Sequence, residues 1–468
     1  MPQVILNNFV LGGLSDSKYL GVANSVYKMI GFDIHSEPGV LKVNQKLTKE
    51  SGSTIDDLVK AMVPCSDGNT YLFGSTNGKI WKRTSSGTYS LEATASPAAG
   101  AVGIMDAYEY QGYIYYSMQS RLGRCAVGAA WSTRNDSYAT FSNTDDTYHP
   151  INEQNLVMYV GDKNYLAQVD GGTFSANALD VKSPLRITAL GRLLTDILVG
   201  TFTAANVVDT EIFRWNTWST SSFQSSDDVP EVGINCFLPT DNYNLVQCGR
   251  KGNLYIYSGT YLEKKKRIPG NWSGTNEGIV FANAAVNWNG MPLFGLSNLS
   301  GNPADQGVYS YGSYSPEYPV VLNLEWLIST GNSSNVQIGA IAVIGNDILV
   351  SWKDTTTGTV YGVDHIDTTA KFTSASIETR AITIDRGSKK DFMVEVCYRS
   401  MPTGCSITIE ASLENGAYAP ITVITDPDNK KVYAKTTIVG ANTVQFRAKP
   451  IVSGNSAPEI EQILISYP

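Results

Sequence analysis

A short phrase returns through the middle of this chain at a spacing of roughly 45 residues, and it limits the folds available more than any other feature. The phrase is an apolar strand, a turn, and then a strand rich in aromatics. Its first clear copy lies in residues 57–92. Val59–Val63 reads as an apolar strand, Ser66-Asp67-Gly68-Asn69 as turn chemistry, and Thr70–Gly74 as a second strand. Thr76-Asn77-Gly78 turns the chain into Lys79–Arg83, and Ser85-Ser86-Gly87 leads to Tyr89–Glu92. Four strands joined by three short loops form a meander, and one twisted meander is a propeller blade.

The rhythm continues. Ile104–Tyr110, Tyr113–Ser117 and Leu122–Val127 form the next unit, followed by Asn155–Val160 and Tyr165–Val169. Ile187–Leu193, Ile197–Thr203 and Glu211–Trp215 make a fourth, and the stretch from Ile234 to Ile268 a fifth. Ala284–Trp288, Pro292–Leu296 and Val308–Tyr311 begin a sixth, and the strands between Ile338 and Ile366 belong to a seventh. Gly74, Ser117, Gly200 and Gly249 supply small side chains where inner strands are expected to crowd. The expectation is an all-β chain with a propeller of about seven blades over residues 57–380. Residues 1–56 are expected to close the ring with a strand, removing its open edges. Residues 381–468 lose the blade rhythm and carry about seven alternating strands, which suggests a β-sandwich.

Composition agrees with this picture. Gly (42) and Tyr (26) are abundant, and amphipathic helical stripes are scarce. The net charge of −8 is unevenly placed. Residues 1–56 carry five basic and five acidic side chains and residues 381–468 nine of each, so 57–380 holds 21 basic against 29 acidic. An acidic body does not grip nucleic acid, which requires Lys and Arg to displace counterions. It does permit a surface along which DNA slides. No run is long and apolar enough for a membrane span, and the start lacks a secretion signal. The six cysteines are dispersed; Cys236 and Cys248 flank the turn at Asp241-Asn242, where buried free thiols are favoured over a disulfide.

No residue set forms a convincing catalytic, cofactor or metal site. The three histidines, His35, His149 and His365, are far apart and lack ligand spacing. Paired carboxylates would serve a glycosidase, and Asp162, Asp170, Asp196, Asp209 and Asp347 are candidates by position. All lie near turns, where Asp bonds the local backbone. Lys264-Lys265-Lys266-Arg267 reads as a solvated strand end, with a phosphate contact as its functional alternative. Trp215, Trp218 and Trp272 would stack on sugars if exposed, although strand aromatics usually belong to the core.

The ends carry a resemblance. The chain opens with Asn7-Asn8-Phe9-Val10-Leu11-Gly12-Gly13-Leu14-Ser15-Asp16-Ser17, and later runs Gly31-Phe32-Asp33-Ile34-His35-Ser36-Glu37-Pro38-Gly39-Val40-Leu41. A glycine-broken first strand and a Pro-Gly-Val-Leu step ahead of a propeller resemble the tail proteins of tailed bacteriophages, in particular the hub or nozzle of a short tail. Val444-Gln445-Phe446-Arg447 and Ala457–Tyr467 are similar to the closing sandwich segments of such chains. The resemblance implies a non-enzymatic virion protein assembled in the host cytoplasm as a homo-oligomeric, hexameric ring around the DNA exit channel. Its implied partners are a tail adaptor or tube protein, tail-tip or fibre proteins, and viral DNA in transient contact. No catalytic residue is implied, and no cofactor or metal. Two rivals remain: a glycan-binding receptor-recognition propeller and a glycoside hydrolase.

Overall fold

In the computed structural model, residues 2–468 are described apart from residue 53 and residues 97–102, 204–206, 217–221, 241–242, 302–304, 333–334 and 385–388. The architecture is an all-β propeller. Six separate four-stranded antiparallel sheets are found among the described residues, over 59–94, 106–140, 151–180, 186–229, 234–267 and 336–371, the last completed by Gln45–Lys49. A further meander, Ala285–Trp288, Met291–Gly295, Val308–Gly312 and Val321–Trp326, lies between the fifth and the last of these and belongs to a larger, ten-stranded sheet.

Each sheet is short and strongly apolar because both of its faces are covered by neighbours. The strands Thr70–Gly74, Asn244–Cys248 and Asn253–Tyr257 are buried at every position. Neighbouring sheets are held at their first strands by two devices. Small residues in second strands let the next sheet approach: a Cβ on Gly200 would stand 2.6 Å from Ile234 Cγ2, and one on Gly161 would stand 2.8 Å from Ile187 Cγ2. Hydroxyls then bond across the gap. Ser117 Oγ donates to the His149 carbonyl at 2.9 Å and Thr188 Oγ1 to that of Ile234 at 2.6 Å. Ser351 Oγ donates to the Val59 carbonyl at 2.6 Å and so joins the last sheet to the first. Gly74 and Gly249 answer to a different need. They make room for the carboxylates of Asp57 and Glu231 rather than for a crowded channel.

The first residues of the chain are distributed between two regions. Gln45–Lys49 pairs antiparallel with Val360–Lys371 as the outer strand of the last sheet. Lys28–Ile30 lies between Val321–Trp326 and Ser376–Glu378, and so links the meander at 285–326 to strands from the C-terminal part. Gln3–Leu6 and Leu41–Val43 both pair with Glu459–Ser466. Phe392, from the sheet containing Glu459–Ser466, meets Phe446 from the ten-stranded sheet with ring centroids 5.5 Å apart. One apolar core runs from Leu293 and Ile338 in the propeller to Phe392 and Ile463 beyond it. Cys236 and Cys248 are buried free thiols, and burial pushes the Cys236 thiol up to about 12.

A buried polar knot seals the junction. Glu325 accepts hydrogen bonds from Ser310 Oγ (2.6 Å), Asn323 Nδ2 (2.9 Å) and Asn44 Nδ2 (2.9 Å). Burial lifts its carboxyl to about 7, and the nearby Asp33 adds to the rise. His35, whose Nε2 lies 3.2 Å from Ser310 Oγ, is pushed down to about 4 by burial. A carboxyl raised in the folded state holds its proton more tightly there than in the unfolded chain. Its contribution is therefore complete below the unfolded value and is lost as pH rises through about 7. His35 acts oppositely, costing stability only as pH falls below its unfolded value. Between pH 8 and 6.5 the Glu325 effect dominates this knot. Urea denaturation across that window is expected to show wild type gaining on the order of 1 kcal/mol relative to Glu325→Gln as pH falls, with parallel profiles as the contrary outcome.

Candidate functional site

The first strands of the sheets pack side by side around an axis, and a polar bridge joins several of them there. Asn283 precedes the strand Ala285–Trp288, and its Nδ2 donates to Asp106 Oδ1 at 2.6 Å and to the Lys60 carbonyl at 3.0 Å. Its own carbonyl accepts from the Ile341 amide at 2.8 Å. Four regions of the propeller thus meet at one residue, two of them through its side chain and one through its backbone carbonyl. Asp106 is fully enclosed and accepts from three N–H donors: the amides of Ile151 (2.6 Å) and Ala107 (2.7 Å), and Asn283. Burial lifts its carboxyl to about 7, while these donors favour the ionised form.

Two cavities meet at this bridge, of about 550 Å³ and 300 Å³, and they share Asp106, Pro150, Ala282 and Asn283. The larger one has a mixed wall. Ile104, Ile279 and Phe281 supply apolar surface, and Tyr148 and Phe202 form an aromatic pair with centroids 6.2 Å apart. Arg250 Nη1 is paired with Glu277 Oε2 at 3.0 Å. Lys60 enters this cavity from the bulge between Val59 and Ala61, where the extra residue re-aims the side chain. Its Nζ lies 4.7 Å from the centroid of the Phe281 ring, and burial pulls the amine below its ordinary value. The cavity is of a size that suits a small molecule.

A second cluster lies beside the axis. Asp146, His149 and Asp162, all fully buried, have ligand-type atoms within 4.8 Å of one another. The spacing invites a metal, but the hydrogen bonds do not fit one. His149 Nδ1 faces the Gly161 carbonyl at 2.6 Å and Nε2 the Gln119 carbonyl at 3.0 Å. With both ring nitrogens engaged by backbone carbonyls, neither is left to coordinate a cation. Asp146 is occupied by the amides of Lys163 (2.6 Å) and Thr147 (2.8 Å). Asp162 Oδ2 caps the amides of Ser142 (2.8 Å) and Asn143 (3.1 Å), while Oδ1 has no hydrogen-bond partner. Burial raises the Asp162 carboxyl and the charge of His149 opposes the rise. The arrangement is a buried charge clasp between two sheets.

The sequence candidates are dispersed. Asp170 and Asp209 are exposed at turns, Asp196 pairs with Arg214, and Asp347 Oδ1 accepts the amides of Ile348 (2.7 Å) and Ile366 (3.0 Å). Asp347 Oδ2 also lies 3.6 Å from His365 Nδ1, and Asp162 joins Asp146 and His149, of which His149 lines the larger cavity. Trp215 and Trp272 are buried, so neither offers the sugar platform considered for it; Trp218 lies outside the described residues. In the basic run, Lys264 and Lys265 are exposed, and Arg267 donates to the Lys251 carbonyl at 2.9 Å. Asp106, Asn283 and Lys60 were not singled out from sequence, and nothing in their local pattern marks them. The Asp146-x-x-His149 step was the one available hint of the clasp.

No protein-family model matches the chain, and no curated protein sequence matches it significantly. Among solved structures it is similar to a streptogramin B lyase, with 12% identity, a TM-score of 0.49, and coverage of 69% of this chain and 98% of that one. It is also similar to the Pan2 WD40 domain of Neurospora crassa (8% identity, TM-score 0.45, 70% and 97% covered). A third is an exo-β-1,3-galactanase from Phanerochaete chrysosporium (8% identity, TM-score 0.33, 91% and 99% covered). No property of these proteins carries over to this chain. No helix among the described residues is long and apolar enough to cross a membrane.

The clasp makes a definite expectation. Asp162→Asn replaces a buried carboxylate that caps the Ser142 and Asn143 amides beside His149 and should cost about 1–3 kcal/mol. Asp347→Asn, at a half-buried turn, should cost under about 1 kcal/mol. Chemical denaturation of both variants checks the contrast.

Proposed function

We propose that this chain is a structural, non-catalytic component of a bacteriophage tail that acts by assembling with copies of itself around a DNA passage. One observation carries the assembly part of this reading. Leu156 and Leu194 sit at the tips of hairpins in adjacent sheets, with φ of 62° and 54°, and are 78% and 81% exposed. The tips are tied together: Gln154 Nε2 donates to the Leu194 carbonyl at 2.8 Å and Asn155 Nδ2 to the Thr195 carbonyl at 2.8 Å. A leucine in the left-handed region costs roughly 1–2 kcal/mol, and its exposed side chain returns nothing to folding. Its use there is explained by a contact with another surface.

The identification with a phage tail rests on the resemblance of the chain's ends. Three features support the architecture it requires. The meander at 285–326 counts as a seventh blade that has merged with its neighbours. The two sheets meeting at Phe392 and Phe446 form a β-sandwich, which would be fused to the propeller through the shared ten-stranded sheet. The axis of one propeller is crossed by Asn283, so any DNA path would run between copies of the chain, as a ring of six would provide. The acidic excess in 57–380 suits a wall that does not hold DNA.

Negative-stain imaging of the purified chain and of intact particles tests the proposal. Rings with a central hole, located at the tail, are expected. A monodisperse monomer that is absent from particles would overturn it. Leu156→Asn with Leu194→Asn is expected to abolish the oligomer while leaving the monomer as stable or about 1 kcal/mol more so, because Asn tolerates this conformation. Mass photometry and thermal denaturation of the same sample read both effects.

A further inference from the structure

The larger axial cavity contains one charge that the protein does not compensate. Its lining charges are otherwise accounted for. Arg250 is paired with Glu277, and Asp106 is satisfied by three N–H donors. His149 has each ring nitrogen against a backbone carbonyl. Lys60 Nζ meets no carboxylate at ion-pair distance among the described residues. Asp57 is the nearest acidic influence on it, and Asp57 Oδ2 accepts the amides of Thr76 (2.7 Å) and Asn77 (2.8 Å). A partly buried ammonium that faces the Phe281 ring and is repelled by the Lys353 charge is costly unless something else completes it.

We propose that the axial cavity binds a small carboxylic acid, whose carboxylate pairs with the Lys60 ammonium and whose body lies against Phe281 and the Tyr148–Phe202 pair. An ammonium with no carboxylate at ion-pair distance matches a single negative charge. The cavity, at about 550 Å³, admits a ring-sized body, and its aromatic wall suits either an aromatic ring or the face of a sugar. The site is independent of the assembly surface at Leu156 and Leu194, so either proposal can fail without the other.

Titration calorimetry on the full chain tests this with two acids and their neutral amides: phenylacetate against phenylacetamide, and glucuronate against glucuronamide. At least one acid is expected to bind, and to bind at least tenfold more tightly than its amide. Binding of phenylacetate alone points to an aromatic acid, and binding of glucuronate alone to an acidic sugar. Lys60→Met is expected to remove the preference for the acid, and Lys60→Arg to retain it. Should Lys60→Met not fold, the acid–amide comparison on wild type still decides. Absence of binding by both acids, equal binding of acid and amide, or a preference that survives in folded Lys60→Met would each overturn the proposal.

Discussion

Closure of the propeller is the constraint on which everything else depends. A circular array of sheets has no end at which strain can dissipate, so the last sheet must meet the first with the same fit as every other pair. Two interactions meet that condition here. Ser351 bonds to the Val59 carbonyl across the joint, and Gln45–Lys49 completes the sheet begun at Val336. Because that closing strand comes from the start of the chain, the residues before it are drawn to the outside of the last sheets. There they become the strands that tie the propeller to the C-terminal part.

The same closure explains the axis. Once the first strands are fixed in a ring, their bulges and the residues before them all point at a common line. The chain fills part of that line with Asn283 and leaves cavities on either side. The polar groups there are either fully bonded, as with Asp106, or turned into open space, as with Lys60. A low-dielectric setting makes the difference between those two conditions large. In the His149 clasp both ring nitrogens are bonded, while Asp162 Oδ1 is not. The clasp resembles a metal cluster in composition, yet its hydrogen bonds give it a structural role.

The propeller class was legible from sequence because its signal is local. Apolar runs bounded by Asp-Gly, Asn-Gly and Gly-Gly turns mark strands wherever glycine provides the positive φ. Legibility fails where glycine is absent. Asn155 and Leu156 form a turn with φ of 54° and 62°, and the sequence pattern runs a strand straight through them. The site was less legible still. Asp106 and Asn283 are separated by 177 residues and Lys60 is further again from Asn283, so only closure brings them together. His149 and Asp162 are near in sequence, but their approach depends on the carbonyls of Gln119 and Gly161 that hold the ring. Spacing alone does not reveal such partners.

The pairing of Gln3–Leu6 with Glu459–Ser466, taken with the late partner of Gln45–Lys49, has a consequence for biosynthesis. A ribosome releases the first fifty residues long before the strands they pair with exist. During that interval the early strands present unpaired edges, the kind of surface that invites association with other chains. Intermediate sheets can form in order as they emerge, but the ring stays open until Val360–Lys371 is made, and the outer sheet until Glu459–Ser466. The edge of Gln3–Leu6 therefore stays unpaired until synthesis has passed Glu459–Ser466, more than 450 residues later.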